Sequence, residues 1–277
     1  MRLACLILLL TGAYPLWRAW RVNRQTSLVH ATWWTVAAWG TWFAAALFSS
    51  DTLPSAADAW RYIALSLTGC AAVAVLGARR PGVAAWNFVV LALLAVNLLP
   101  LVDGVLRGQG VQIDAFHKTC VAVAIAVGVL NYLPTRLGPA MALLAFGLAL
   151  GLTGFMLPSE SKQQVSIDFW AVACAPWLSY ATLRTPTGRL SEFDKTWRTF
   201  RDRFGMVWGL RLREQFNRAA AHAGWQLVLT WRGLRALGKL EQQPQPEKDG
   251  DALTTLQALM KRFGTEEDRL TASLTSR

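Results

Sequence analysis

Long apolar runs and short polar breaks alternate along the first two thirds of the chain, and a mixed polar segment follows them. A helix needs about 20 apolar residues to cross the hydrocarbon core of a bilayer. The pattern predicts seven membrane-spanning helices, and because three runs are short we expect those helices to extend past them. The runs free of Asp, Glu, Lys and Arg are approximately 3–17, 28–48, 62–78, 83–102, 119–133, 137–157 and 169–183.

Alternate loops differ in charge. The loops at 18–24, 79–80 and 135–136 contain arginines and no acid, whereas the other loops are mixed. Since positive loops stay in the cytoplasm, we expect the N-terminus outside and the tail inside. Arg2 and the TGA at 11–13 also fit a cleaved signal peptide, although the arginines after the first run favour an uncleaved span. The mixed loops hold Arg61, Arg107, Lys118 and Lys162 with Asp51, Asp58, Asp103, Asp114, Glu160 and Asp168.

A stripe of apolar residues dominates the segment after the last run. Its mean spacing of about 3.75 residues predicts one nearly straight amphipathic helix. Ser191 and Asp194 resemble a capping box at its start, and Pro186 and Gly188 separate it from the last span. The aromatic stripe consists of Phe193, Trp197, Phe200, Phe204, Trp208, Leu212, Phe216, Ala219 and Ala223.

Short secondary-structure elements are predicted for the rest of the tail. Residues 225–237 fit either a strand or an interfacial helix, and we favour the helix because no strand partner is evident. Residues 241–251 form a polar linker. A short amphipathic helix follows at 252–263, and a last helical turn follows Thr265. The predicted domains are 1–183, 184–240, 241–251 and 252–277.

Two interpretations of the aromatic stripe remain open. It is either a docking face for a protein partner or for anionic lipid, or it packs against the protein's own bundle or the rest of the tail. The arginines beside it suit anionic lipid, and they also suit simple fixation of membrane orientation. The candidate binding residues are Phe193, Trp197, Phe200, Phe204 and Trp208 with Arg198, Arg201, Arg203, Arg211 and Arg213.

Composition narrows the function classes. The chain is 53% hydrophobic and 16% charged, and its net charge is +11. Because the basic residues flank membrane spans, the charge predicts topology and excludes a nucleic-acid partner. The four cysteines lie one per span without metal spacing, so we predict no metal and no cofactor, and leave a disulfide among Cys5, Cys120 and Cys174 open. The motifs HExxH, GxSxG, GxGxxG and the P-loop are absent.

Polar groups within the spans are few. Asn97 and Asn131 are the candidate intramembrane polar site, and the alternative for each is an interhelix hydrogen bond. No charged residue falls inside the apolar runs, which argues against an ion-coupled pump. His30 and His117 lie at opposite membrane faces and cannot share a metal. Four tryptophans in the second span, Trp33, Trp34, Trp39 and Trp42, line an apolar ligand path or pack between helices.

One segment resembles a known family. Residues 200–225, FRDRFGMVWGLRLREQFNRAAAHAGW, resemble a segment of uncharacterised multi-pass membrane proteins of planctomycete-type bacteria. The resemblance covers about one tenth of the chain. It implies a bacterial membrane protein and no particular activity.

The sequence predicts an all-α fold with seven membrane helices and a cytoplasmic helical tail. Three functions fit it. The first is a non-catalytic interaction, assembly or signalling protein of the bacterial inner membrane, acting through the tail. The second is a facilitator-type permease or lipid-handling protein using Asn97, Pro100 and the tryptophans. The third is a membrane enzyme working at the outer face through Asp103, Asp114 and His117.

Overall fold

Apart from one small β-hairpin, the described residues form an all-α fold, as predicted. The chain divides into two compact units, Met1–Arg184 and Thr185–Arg277. We call them the bundle and the tail unit. A computed structural model describes residues 2–48, 54–79, 83–108, 112–155, 165–186, 188, 190–237 and 246–264.

The bundle contains eight helices in its described residues. α1 and α2 together match the first apolar run, and the backbone N–H of Gly12 between them still donates to the Leu8 carbonyl at 3.0 Å. A 3₁₀ turn, Val75–Gly77, extends the fourth helix. The helices are α1 (Arg2–Thr11), α2 (Ala13–Asn23), α3 (Val29–Phe48), α4 (Pro54–Ala74), α5 (Val83–Leu106), α6 (Ala115–Tyr132), α7 (Gly138–Thr153) and α8 (Val165–Arg184).

Four helical stretches in the described residues are long and apolar enough to cross a membrane. Their bounds are Leu3–Asn23, Ala56–Gly77, Ala84–Leu106 and Ala115–Tyr132. α7 is apolar but has only 16 residues. α3 and α8 have 20 residues each, but polar and tryptophan side chains lower their hydropathy. The short first, fifth and seventh runs do extend into longer helices.

The bundle core lies where α1, α3, α4, α7 and α8 meet. α3 packs along α4, and α7 packs along α8. Trp42, Tyr62, Leu65 and Leu148 are almost fully buried there, and Trp42 meets Phe169 edge-on at 5.4 Å. The tryptophans of α3 donate to three different helices, through Trp34 to Asn87, Trp39 to the Leu9 carbonyl and Trp42 to Thr68. They therefore connect helices and do not form one aromatic wall.

The tail unit contains a long helix, a hairpin and a second helix. These are α9 (Glu192–His222), β1 (Leu227–Leu229), β2 (Leu234–Ala236) and α10 (Pro246–Met260). The strands are antiparallel and pair Leu227 with Ala236 and Leu229 with Leu234. The helix favoured for 225–237 is therefore wrong, because the strand finds its partner within the same stretch.

The ends of the tail differ from the prediction in part. α10 begins at Pro246, inside the segment predicted as a linker at 241–251. The first half of that linker and the last turn predicted after Thr265 lie outside the described residues. Predicted helix 252–263 thus forms the larger part of a longer helix that ends at Met260.

Candidate functional site

The aromatic stripe does not lie on one straight helix. At Gly205, inside α9, the backbone adopts φ 79° and ψ −170°, which is not helical. The rings of Phe193 and Phe216 nevertheless lie only 5.4 Å apart. In a straight helix, 23 residues would separate them by about 34 Å. α9 therefore folds back on itself at Gly205 into two antiparallel arms, residues 192–204 and 206–222.

The folded arms bring the stripe together as the core of the tail unit. Trp197 and Phe216 are fully buried. Phe263, which follows α10, closes the core, with ring centroids 5.0 Å from Phe200, 5.0 Å from Phe204 and 5.3 Å from Trp208. The five aromatic candidates for partner binding thus pack against other aromatic rings of the tail unit and are not open to solvent. All five are buried: Phe193, Trp197, Phe200, Phe204 and Trp208.

Polar side chains of α9 hold the hairpin on the helix. The Trp231 carbonyl accepts from Trp197 Nε1 at 3.3 Å and from Arg201 Nη1 at 2.9 Å. Asn217 bonds both backbone groups of Leu229, at 3.1 Å through Nδ2 and at 2.7 Å through Oδ1. Asp194 Oδ1 accepts from the Leu234 amide at 3.0 Å. These contacts with α9 hold the hairpin in place, although each of its strands has only three residues.

The five candidate arginines have different surroundings. Arg201 is buried, donates to Asp202 at 2.8 Å and lies over the Trp231 ring at 5.1 Å. Arg198 donates to the Arg232 carbonyl at 3.2 Å. Arg203 and Arg213 are half-buried, and Arg211 is exposed and lies 5.1 Å from the Trp208 ring. Arg201 therefore stabilises the fold, and Arg203 is engaged with its neighbours. Arg211 and Arg213 remain accessible for binding.

The bundle contains a buried ion pair that sequence reasoning missed. Arg61 of α4 is 6% exposed, and Asp168 of α8 is fully buried. Arg61 Nη2 contacts Asp168 Oδ2. Arg61 also lies 5.9 Å from each of the Phe155 and Phe169 rings. The sequence pattern assigned both charges to loops, whereas they lie inside helices, because α4 and α8 begin several residues before the apolar runs.

A glycine-lined face of α7 receives this ion pair. A Cβ at Gly151 would lie 3.5 Å from Asp168 Oδ2, and one at Gly154 would lie 3.3 Å from Arg61 Nη1. Gly147 lies against the backbone of α8, at 3.0 Å from its Cβ position to the Asp168 carbonyl. These small residues let α7 approach α8 closely inside the bundle. The sequence held one signal for this ion pair: Arg61 and Asp168 each lie one residue outside an apolar run.

The two candidate asparagines differ in their bonding. Asn97 of α5 is fully buried, and neither its Oδ1 nor its Nδ2 has a hydrogen-bond partner among the described residues. Asn131 of α6 is also buried, at 1% exposed, but it is engaged with its neighbours. Only Asn97 presents unused hydrogen-bonding capacity.

Asp103, Asp114 and His117 form two separate pairs. Asp103 accepts from Arg107 at 2.8 Å, with both side chains exposed. Asp114 caps α6, since its Oδ1 accepts from the His117 amide at 2.9 Å and lies 2.6 Å from His117 Nδ1. These contacts with His117, first the backbone and then the imidazole, hold the pKa of Asp114 below its ordinary value. His117 Nε2 is buried without a partner in the described part of the chain.

The described residues contain neither a metal-ligand cluster nor a disulfide. No group of three or more His, Cys, Asp or Glu there is arranged to hold a metal ion. Cys5, Cys70, Cys120 and Cys174 are free thiols.

Comparison with known proteins adds no relationship. No family model, no curated protein and no solved structure matches the chain. The resemblance of residues 200–225 to planctomycete-type membrane proteins therefore stays a prediction, and function has to be argued from the residues.

Proposed function

We propose that this chain is a seven-span protein of the bacterial cytoplasmic membrane that acts as a non-catalytic interaction protein through its tail unit. Its N-terminus lies outside and its tail inside. The partners are anionic lipid at the cytoplasmic face and a membrane or cytoplasmic protein.

The observation that carries the proposal is that the tail is a separately packed unit with a basic surface. The aromatic stripe is buried in the core of the tail unit. The accessible arginines, rather than the aromatic residues, would therefore contact a partner. Arg211 is exposed and Arg213 is half-buried. A folded basic module attached to a membrane bundle suits recognition of acidic partners.

Contacts at one end of the bundle support the proposed orientation. Arg18 Nη1 donates to Tyr180 Oη at 3.1 Å, and Arg136 Nη2 donates to the Thr182 carbonyl at 2.6 Å. Ser27 Oγ donates to the Ala78 carbonyl at 2.8 Å. The arginine-rich loops thus gather beside the C-terminal end of α8, as a common cytoplasmic face would require.

The test is affinity purification from native membranes with three forms of the protein. The intact chain is compared with a form stopped after Arg184 and with Arg211→Glu/Arg213→Glu. We expect a stoichiometric companion that is lost in both altered forms, because both remove the basic surface. Thr199→Val, a neutral change at an exposed position of the first arm, should retain the companion. A companion retained by the stopped form would contradict the proposal.

The permease or lipid-handling alternative has one observation in its favour. Asn97 is buried with an unpartnered amide in the described bundle, and Arg61 and Asp168 form a buried ion pair there. The enzyme alternative keeps only the Asp114–His117 pair, since Asp103 pairs separately with Arg107. If no protein companion is found, transport of polar solutes is the next activity to measure.

A further inference from the structure

Aromatic and arginine side chains of α2 and α8 meet at one end of the bundle. Arg18 Nη1 donates to Tyr180 Oη at 3.1 Å, and the hydroxyl oxygens of Tyr14 and Tyr180 lie 3.5 Å apart. The guanidinium carbon of Arg184 lies 4.7 Å from the centroid of the Tyr180 ring. These contacts hold side chains of two helices in one cluster. We call this surface the α2–α8 patch, and it consists of Tyr14, Trp17, Arg18 and Arg21 of α2 with Tyr180 and Arg184 of α8.

Sequence spacing puts the patch on one face of each helix. Tyr14, Arg18 and Arg21 follow one another at i, i+4 and i+7, so they share a face of α2. Tyr180 and Arg184 are related in the same way on α8, at i and i+4. The rings of Tyr14 and Tyr180 meet edge-on, with centroids 5.8 Å apart. The two rows of side chains therefore pack against each other.

The patch carries three positive charges that no acid neutralises within the described residues. Arg18, Arg21 and Arg184 are all exposed. None of them forms an ion pair with an acidic side chain in that part of the chain, whereas exposed Arg107 of α5 pairs with Asp103. The three guanidiniums are therefore available to attract an anion from outside the protein.

Aromatic rings hold the guanidiniums in place. Arg21 lies 4.9 Å from the centroid of the Trp17 ring. Arg184 lies over the Tyr180 ring, and Arg18 is bonded to the hydroxyl of the same ring. A guanidinium has five N–H donors, so most of them stay free while the ring fixes its position. An arginine that is already held in place loses less side-chain entropy when it binds a ligand.

Two of the guanidiniums can bind the same anion. Arg184 lies over the face of the Tyr180 ring, whereas Arg18 lies beside its hydroxyl, with the guanidinium carbons 4.7 and 5.7 Å from one ring centroid. A phosphate group has oxygens on several sides and accepts paired hydrogen bonds from arginine. A phosphate beside the hydroxyl end of this ring can therefore accept from both arginines.

The membrane insertion proposed above puts this patch at the level of the lipid headgroups. Arg18 and Arg21 lie near the end of Leu3–Asn23, a helical stretch long and apolar enough to cross a membrane, and Arg184 ends α8. Tyrosine and tryptophan concentrate where hydrocarbon meets water, and arginine side chains there extend to the polar groups. Headgroup phosphates are therefore the anions nearest to the patch.

An apolar stripe leads up to the patch and favours a lipid over a soluble phosphate. Leu3, Ile7 and Leu10 are exposed and stand at i, i+4 and i+7, so they share a face of α1. Tyr14 continues the same spacing four residues later. An acyl chain can lie along this stripe while its headgroup reaches the arginines. Charge narrows the class further, because a zwitterionic headgroup brings a cation that the three arginines repel.

We propose that the α2–α8 patch is a specific site for an anionic phospholipid with a phosphodiester headgroup, the chemistry of phosphatidylglycerol. Arg18 and Arg184 donate to the phosphate oxygens, Arg21 adds a third positive charge, and an acyl chain lies along the stripe of α1. The inference rests on the proposed insertion of the bundle in a membrane, but it does not depend on the tail unit or on a protein partner.

The test is lipid binding to the full-length protein in detergent, followed by native mass spectrometry. The probes are phosphatidylglycerol and phosphatidylcholine with the same acyl chains, and glycerol 3-phosphate as a headgroup without chains. We expect phosphatidylglycerol to bind about tenfold more tightly than phosphatidylcholine or better, because each arginine near the surface favours an anionic lipid. Equal binding of the two lipids overturns the proposal. Displacement of phosphatidylglycerol by an equal concentration of glycerol 3-phosphate also overturns it, since the ligand would then be a soluble phosphate.

Two variants and a matched control decide whether the patch is the site. Arg18→Gln and Arg184→Gln should each weaken phosphatidylglycerol binding about tenfold, because each removes a charged hydrogen-bond donor to the phosphate. Arg24→Gln, which removes an exposed arginine just after α2 and outside the patch, should bind like the wild type. Arg184→Gln decides alone if loss of the bond to Tyr180 destabilises Arg18→Gln. Wild-type binding by Arg184→Gln overturns the proposal.

A tail variant separates this site from the surface of the tail unit. Arg211→Glu/Arg213→Glu should bind phosphatidylglycerol as the wild type does. If it loses the lipid while Arg18→Gln and Arg184→Gln keep it, the lipid binds the tail unit, which overturns this inference and supports the proposed function. The protein companion sought by affinity purification does not enter this measurement, so the two proposals can fail separately.

Discussion

Single residues decide the fold of the tail unit, and Gly205 is the clearest case. Its backbone, at φ 79° and ψ −170°, lies in a region that is essentially restricted to glycine. The aromatic spacing on either side of it fits one continuous helix, so periodicity alone cannot reveal the turn. A glycine in the middle of such a stripe is the local signal that a helix can end there.

Replacing Gly205 with alanine should destabilise the tail unit by about 1–3 kcal/mol, because a Cβ disfavours this backbone conformation. Faster hydrogen exchange across 192–237 of the full-length protein would show the loss. Gly188→Ala, at a position with open space around it, is the control and should exchange at the wild-type rate. Equal exchange in the two variants would argue against the turn.

Asn217 is a second decisive residue, since its one amide bonds both backbone groups of Leu229. Asn217→Asp keeps an acceptor for the Leu229 amide but turns a carboxylate oxygen toward the Leu229 carbonyl. We expect a loss of about 1–3 kcal/mol in the stability of the hairpin. Exchange of the Leu229 amide in the full-length protein measures it, with exposed Thr199→Val as the reference variant. Wild-type protection would contradict the role of Asn217.

At the scale of elements, α4 and α8 are joined by the pair Arg61–Asp168. The apolar runs locate both helices but place their starts too late, which assigned the two charges to loops. A helix predicted from hydropathy stops at the first charged residue. In the structure a charged residue that has a partner can lie inside the helix and within the bundle. The two helices were therefore predictable from the sequence, whereas the ion pair between them was not.

Removing one charge should cost more than removing both. Asp168→Leu leaves the Arg61 guanidinium buried and unpaired, so we expect a loss of about 3–5 kcal/mol. Arg61→Met combined with Asp168→Leu should recover most of that loss, because no charge is left behind. Melting temperatures of the wild type, the two single variants and the double variant in one detergent measure the difference. Additive effects of the two substitutions would show that the side chains do not act as a pair.

The hairpin β1–β2 shows another limit of pattern reading at this scale. Alternating apolar positions at 225–231 indicated a strand, and a helical pattern overlapped it over the same few residues. The deciding contacts come from α9, through Asp194, Trp197 and Asn217, about 10 to 40 residues away in sequence. A short strand fixed by a distant helix cannot be chosen from its own residues.

At the scale of the whole molecule, the chain consists of an apolar bundle and a polar tail unit, divided after Arg184. The segregation of apolar and charged residues extends over whole helices, so it predicts the all-α class and helices that are long and apolar enough to cross a membrane. The burial of a polar residue such as Asn97 depends on how the helices pack, which composition does not contain. Predicting the candidate site therefore requires the packing of the helices, whereas the protein class can be predicted from composition.

Orientation in the membrane can be checked with single cysteines in a cysteine-free background. A membrane-impermeant maleimide applied to intact cells should label Arg107→Cys, at the exposed end of α5, and not Gly188→Cys, just after α8. The reason is that the proposed orientation puts the arginine-rich loops at the cytoplasmic face. Permeabilised cells, in which both sites should react, serve as the control. Labelling of Gly188→Cys in intact cells would reverse the orientation.

The back-folded helix α9 also makes chain length itself a constraint. Residues on its two arms face each other at fixed distances from Gly205, as Phe193 and Phe216 do. One inserted residue between Trp197 and Gly205 would rotate everything before it by about 100° and turn those rings out of the core. Substitutions that keep an apolar ring can be accommodated, but a change of one residue in length cannot. Relatives of this chain should therefore vary in length at the ends of the arms and keep the count within them.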